Sequence, residues 1–329
     1  MIEGCEKPRP NPLPRRAPQV SYRAAEAEAA LAESGTLAVF RFGRGTPHAD
    51  PRCLQVALES VDAPTPVEIW QVDAPVTCGV DDGLRWSAGA GWLFAAIELD
   101  ERDHGGPQGA AAHAYERLGA FVRERTEHHV LRLWNYLADI NQGEGDTERY
   151  KQFCVGRAIG MGDFFAEGYP AATAIGHHGA SPLLQVYLLA CDQGGARVEN
   201  PRQVSAWRYP RQYGSTPPSF ARAMSLPALD ALAISGTAAV VGHASAHRDD
   251  LDAQLEETLV NLEALLASAD MRAGFDTRSP LKAYVRHGAD AGRVRDFLQQ
   301  RLPGVPVLLL HGDICRHELL VEIDGWRYA

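Results

Sequence analysis

The chain has 329 residues, 45% of them apolar and 22% charged, which is enough to bury one large core or those of two ordinary domains. A formal net charge of −10 opposes phosphate backbones and anionic bilayers, so nucleic acid and membrane surfaces are excluded as partners; locally gathered arginines would still suit a small anion. The six cysteines, Cys5, Cys53, Cys78, Cys154, Cys191 and Cys315, form no CxxC pair and lack the density of a disulfide scaffold, so they read as reduced thiols.

Residues 1–20 are rich in Pro and Arg and read as an extended segment, without the apolar core of a signal peptide. With no later run of membrane-spanning length, a cytoplasmic location is expected. GTLAVFRFG, PTPVEIWQVDAPVTCG and GAGWLFAAIELD carry β-branched and aromatic residues between Gly, Pro and Asp, which predicts strands. From Ala110 to Ile140, AAAHAYERLGAFVRERTEHHVLRLWNYLADI spaces its apolar residues for a helix.

The second half repeats that order. LDALAISGTAAVVG predicts a strand pair, and DDLDAQLEETLVNLEALLASAD a helix with Leu251, Leu255, Leu259, Leu262 and Leu265 on one face and acids in its first turn. LKAYVRHG is a strand, DAGRVRDFLQQRLPG a helix, and VPVLLLHGD and ELLVEIDG two more strands, giving ββαβαββ. Strands followed by helices in two successive halves predict an α+β fold, each half a sheet with helices on one face.

Between the halves, VENPRQVSAWRYPRQYGSTPPSFARA gathers arginines, tyrosines and prolines in an otherwise acidic chain. Arg208 and Arg211 suit surface charges on a proline-stiffened loop, and Tyr209 and Tyr213 serve equally as packing anchors or hydroxyl donors. No metal site is predicted: the pairs His128–His129 and His177–His178 cannot both face one ion from a regular helix, and His243 and His247 lack the Glu of a zinc helix. The glycine clusters lack a phosphate-loop ending, so no nucleotide cofactor is implied.

From about Leu229 to Trp326 the chain resembles the RidA/YjgF family, on AISGTAA, DAQLEETLVNLEALLASAD, KAYVRHG, AGRVRDFLQQRLPG and VEID. The resemblance implies two RidA/YjgF-like halves, each a mixed sheet with helices packed on one face, and makes Glu322 an acid/base group in a cleft between neighbouring units. That family also holds a substrate carboxylate with an arginine on the preceding strand. VPVLLLHG has none, which argues against imine deaminase activity.

A closer resemblance, over nearly the whole chain, is to the chorismatases, carried by LRLWNYLADIN, ERYKQFCVGRA, VENPRQVSAWRYPRQYGSTPPSFARA, ISGTAAVVGHAS and GDICRHELLVEIDG. It implies removal of pyruvate from chorismate without metal or organic cofactor, giving a dihydroxycyclohexadiene carboxylate, 3-hydroxybenzoate, or both 3- and 4-hydroxybenzoate. Implied domains are an extended segment over 1–20, a degenerate RidA-like domain over 21–200, a substrate-site connector over 201–225 and a RidA-like domain over 226–329. A chain holding its own duplicated partner is expected to be a monomer.

Two substrate carboxylates call for arginines, whose planar forks stay charged when partly dehydrated. Arg149, Arg157 and Arg222 are the candidates, with Arg222 and Tyr213 favoured where the resemblance is densest. Cleaving an enol ether starts by protonating its methylene carbon; burial of Glu322 beside an anion would lift it from an ordinary pKa of about 4.3 and let it supply that proton. Cys315 occupies a position that looks like a cysteine in the hydroxybenzoate-forming branch, favouring an aromatic product, and Gly236 and Ala238 are expected to let the ring approach the backbone. The rivals are another enzyme of this fold, such as an imine deaminase, and an inert small-anion sensor.

Overall fold

The computed structural model describes residues 16–61, 66–179, 181–227 and 231–329. The extended segment predicted over 1–20 lies outside the described residues up to residue 15, as do Cys5, Pro64, Thr65, Leu229 and Asp230. Strand Gln19–Arg23 begins within the same predicted segment.

Three sheets share one core. The smallest runs Gln19–Arg23, Val67–Gln71, Thr36–Phe42, Cys53–Val56 and is backed by α1 (Ala27–Leu31) through Ala30, Leu31, Val39 and Ile69. The N-terminal seven-stranded sheet runs Asp313–Ile314, Ala171–His177, His129–Ala138, Leu183–Cys191, Trp92–Asp100, Leu84–Gly89, Thr77–Asp81. It is backed by α2 (Pro107–Arg123) and α3 (Arg149–Met161). The C-terminal seven-stranded sheet runs Ala196–Val198, Ala223–Ser225, Ala231–Thr237, Val321–Tyr328, Leu281–Val285, Val307–His311, Glu59–Ser60. Its outer face is covered by α4 (Leu251–Ser268) and α5 (Ala291–Arg301). The inner faces of all three sheets meet in an aromatic cluster containing Trp70, Trp92, Trp134, Trp326, Phe40, Phe94 and Tyr187.

The long helix predicted to Ile140 ends at Arg123, and His129–Ala138 is instead a central strand. Its apolar run suits either element, because a strand covered on both faces loses the polar–apolar alternation. Here Leu133 and Leu137 face α2 and α3, while Trp134 and Tyr136 face the central core. The predicted strand pair 229–242 also divides: Ala231–Thr237 stays in the sheet, and Val240–Val241 leaves it to pair with Ala244–Ser245. Its sheet neighbour is Ala223–Ser225, so the C-terminal sheet includes the end of the arginine-rich connector.

The described cysteines, Cys53, Cys78, Cys154, Cys191 and Cys315, are free thiols. Among the described residues no helix is long and apolar enough to cross a membrane.

Candidate active site

The site forms where the two large sheets meet. Between Ile234–Gly325 and Thr237–Ile323 the pairing advances three residues on one strand and two on the other, a β-bulge at Ser235 and Gly236. The bulge turns polar groups across the seam. Ser235 Oγ accepts from the Ala172 N–H at 2.9 Å and donates to the Ala221 carbonyl at 2.6 Å, while the Gly236 N–H donates to Thr173 Oγ1 at 2.9 Å.

Glu322 stands opposite this bulge. Its carboxyl lies so close over Gly236 that a Cβ there would sit 1.9 Å from Oε1. The glycine was expected to admit a substrate ring; its lack of a side chain is first required by the acid. Ala238 does line the adjoining cavity, a space of about 290 Å³.

Among the segments that wall that cavity are α3 with Tyr150, Lys151 and Arg157, the connector with Tyr209, Tyr213, Phe220 and Arg222, and the loop carrying Cys315 and Arg316. Arg157 is 4% exposed and lies 5.0 Å over the Tyr115 ring, with no hydrogen-bond partner for Nε or Nη2. Arg222, 6% exposed, uses Nη2 on the Val204 carbonyl at 2.9 Å and the Tyr209 hydroxyl at 2.7 Å, leaving Nε without a partner. An unpaired buried donor costs roughly 1–3 kcal/mol, more when charged, so these N–H groups are donors that an anion would satisfy.

Arg149 does not join them. It is tied to Glu101, and its Nε donates to the Ala138 carbonyl at 2.8 Å, so the first turn of α3 spends this arginine on fixing the helix to the sheet. Expected among the substrate-binding residues, Arg149 is thus held at the sheet and is not among the residues that line the cavity. Arg157, two turns further along, is the residue that reaches the cavity.

Tyr213 lines the cavity, its hydroxyl 3.3 Å from His243 Nδ1 and its ring 4.0 Å from the guanidinium of Arg316. That guanidinium also lies 5.0 Å from the Tyr209 ring and donates to the His243 carbonyl at 2.9 Å. Arg316, which sequence reasoning did not single out, thus lines the cavity beside Tyr209 and Tyr213. Adjacency of Arg316 to Cys315 was the available signal.

Burial pushes Glu322 up to about 8, helped by the negative charge of Asp324 and opposed by Arg132, Arg222 and Arg286. At neutral pH it is therefore chiefly a protonated acid. Cys315 is pushed up to about 12, by burial first and then by Glu322, and stays a thiol. Among the described residues no group of three His, Cys, Asp or Glu is placed to hold a metal ion.

Helix-backed duplicated sheets give the chain a RidA/YjgF-like α+β fold, with a buried acid and two buried arginines on one cavity at their seam. Residues 68–190 match the family described as chorismatase FkbO/Hyg5-like, N-terminal. A 3-hydroxybenzoate synthase of Streptomyces hygroscopicus is 34% identical over 290 residues, spanning 83% of this chain and 84% of that protein. A chorismatase of the same organism is 37% identical over 273 residues, 78% of each chain. A chorismatase crystal structure superposes with a TM-score of 0.85 at 31% identity, covering 95% of this chain and 98% of that one. The chain belongs to the chorismatase family.

Proposed function

We propose that this protein converts chorismate to 3-hydroxybenzoate and pyruvate, with 4-hydroxybenzoate as a second product to be sought. The observation that carries the reading is the convergence on one cavity of a protonated, buried Glu322 with Arg157 and Arg222, whose free N–H groups match a dianion. Arg157 and Arg222 each take a carboxylate, and Tyr213, Gly236 and Ala238 shape the ring pocket.

Glu322 gives its proton to the methylene carbon of the enolpyruvyl ether. The neighbouring ring hydroxyl then attacks the carbon bearing the ether oxygen, that C–O bond breaks, and pyruvate leaves. The hydroxyl proton released as the epoxide forms passes to the Glu322 carboxylate and restores the acid; the epoxide then opens to the phenol, its oxygen gaining a proton as the ring carbon loses one. Substrate and products contain the same atoms, so no water is consumed. A neutral Cys315 thiol beside Glu322 serves as a proton carrier or hydrogen-bond donor during aromatisation, since a pKa of about 12 leaves almost no thiolate.

Incubating purified protein with chorismate in ¹⁸O-water tests this reading. Pyruvate together with unlabelled 3-hydroxybenzoate is the expected result. Absence of pyruvate overturns the activity, and a dihydroxycyclohexadiene carboxylate in place of hydroxybenzoate, with the solvent oxygen entering pyruvate and not the ring, would place the chain in the hydrolytic branch.

We also infer a monomer, because one chain supplies both sides of the cleft: Thr173 from the N-terminal sheet, Gly236 and Glu322 from the C-terminal sheet. Light scattering at a mass of 35.8 kDa is the expected result.

A further inference from the structure

Behind Glu322 lies a second carboxylate that the reaction scheme above does not use. Asp324 follows two residues later on strand Val321–Tyr328, so both side chains project from the same face of the sheet. Asp324 is fully buried. Its Oδ2 accepts from Thr173 Oγ1 at 2.7 Å, Tyr284 Oη at 2.9 Å, Trp134 Nε1 at 3.0 Å and Arg132 Nη2 at 3.1 Å, while Oδ1 has no partner. Thr173 connects this carboxylate to the site, because the same Oγ1 accepts the N–H of Gly236, the residue over which the Glu322 carboxyl lies.

We propose that Asp324 is a positioning residue for the reaction: its fixed negative charge keeps Glu322 in the proton-bearing form, and its bond to Thr173 holds the bulge against which Glu322 rests. The inference rests on the reading of Glu322 as the acid. A core that needed only packing would place an apolar residue at 324, as the same strand does at Ile323 and Trp326. A buried charge set one strand repeat from a carboxylic acid raises the cost of ionising that acid.

The groups facing Glu322 allow the sign to be worked out. Asp324 on its own strand opposes ionisation; Arg132 from strand His129–Ala138, Arg222 from the connector and Arg286 after strand Leu281–Val285 favour it. Tyr150 from α3 and Cys315 from the preceding loop face it as neutral groups. Replacing Asp324 by Asn removes the opposing charge and leaves three cations, so Glu322 must lose its proton at lower pH.

The test compares wild type with Asp324→Asn, Asp324→Glu and Tyr284→Phe. Two quantities are followed against pH: kcat/KM for chorismate, and the infrared C=O band of a protonated carboxyl that disappears in Glu322→Gln. The expected result is that band and alkaline limb both move down by about one pH unit or more in Asp324→Asn. Asp324→Glu restores them toward wild type, and Tyr284→Phe, which keeps every charge, leaves both in place. If Asp324→Asn does not accumulate folded, Asp324→Ser removes the charge with a smaller side chain and is read in the same way. An unmoved band in the folded neutral variant, or an equal shift in Tyr284→Phe, overturns the proposal. The band is read without substrate, so failure to turn over chorismate sinks the functional reading separately.

Discussion

At the scale of single residues, Glu322 carries opposite consequences for activity and stability. Its pKa is raised from 4.5 to about 8, so between those values the folded protein holds a proton that the unfolded chain has lost, and stability falls as pH rises through that window. Glu322→Gln does not titrate. It should therefore gain stability over wild type progressively above pH 4.5, reaching on the order of 3–5 kcal/mol above pH 8, while losing roughly 10²–10⁴-fold in kcat. Urea unfolding at pH 5 and pH 9 checks the sign: an equal difference at both would mean the carboxyl is not protonated in the native state. Cys315→Ala separates a chemical role from packing at the next position. If the thiol assists aromatisation, hydroxybenzoate falls relative to pyruvate; an unchanged ratio would leave Cys315 as a filler beside Tyr150.

At the scale of elements, two glycines make contrasting predictions because they meet different atoms. A Cβ on Gly236 would collide with the movable end of Glu322, so Gly236→Ala should evict the acid, costing at least about 100-fold in kcat with little loss of melting temperature. A Cβ on Gly160 in α3 would lie 2.1 Å from the Ala112 carbonyl of α2, and one on Gly156 1.9 Å from that of Gln108. Those are backbone atoms, so Gly160→Ala must separate the helices, costing about 1–3 kcal/mol and raising KM through the displaced Arg157. Thermal unfolding and steady-state kinetics on both variants distinguish the two effects. The same elements show what sequence could reveal. Glu322, Arg157 and Arg222 were legible because charged residues stood inside long matching motifs, whereas strand His129–Ala138 read as helix because burial on both faces erased its alternation. Arg149 was misplaced for a related reason: two arginines eight apart on one helix look alike until Glu101, nearly fifty residues away, claims one. Asp324 could have been found by the two-residue period of the terminal strand.

At the scale of the whole molecule, the three sheets are joined by exchanged strands and shared charges. Glu59–Ser60 pairs at the edge of the C-terminal sheet, and Asp313–Ile314 at the edge of the N-terminal one, so each half completes the other. In the common core, Lys282 of the C-terminal sheet meets Glu68 of the small sheet at 3.1 Å, and Arg132 of the N-terminal sheet meets Asp324 of the C-terminal sheet at the same distance. Burial pulls Lys282 down, but Glu68, Tyr136 and Asp324 outweigh it and hold the ammonium above its ordinary range. Neither ion can be removed alone without leaving the other buried and unpaired. Lys282→Met should therefore cost about 3–5 kcal/mol, and adding Glu68→Gln should recover much of that loss, because a buried pair contributes little beyond what neutral packing supplies. Since the pair binds two sheets, the loss should appear as a lower midpoint of one cooperative transition, with tryptophan fluorescence and circular dichroism coincident. Separate transitions in Lys282→Met would mean that the sheets fold independently, and that the cleft between them is a docking interface instead of part of a single core.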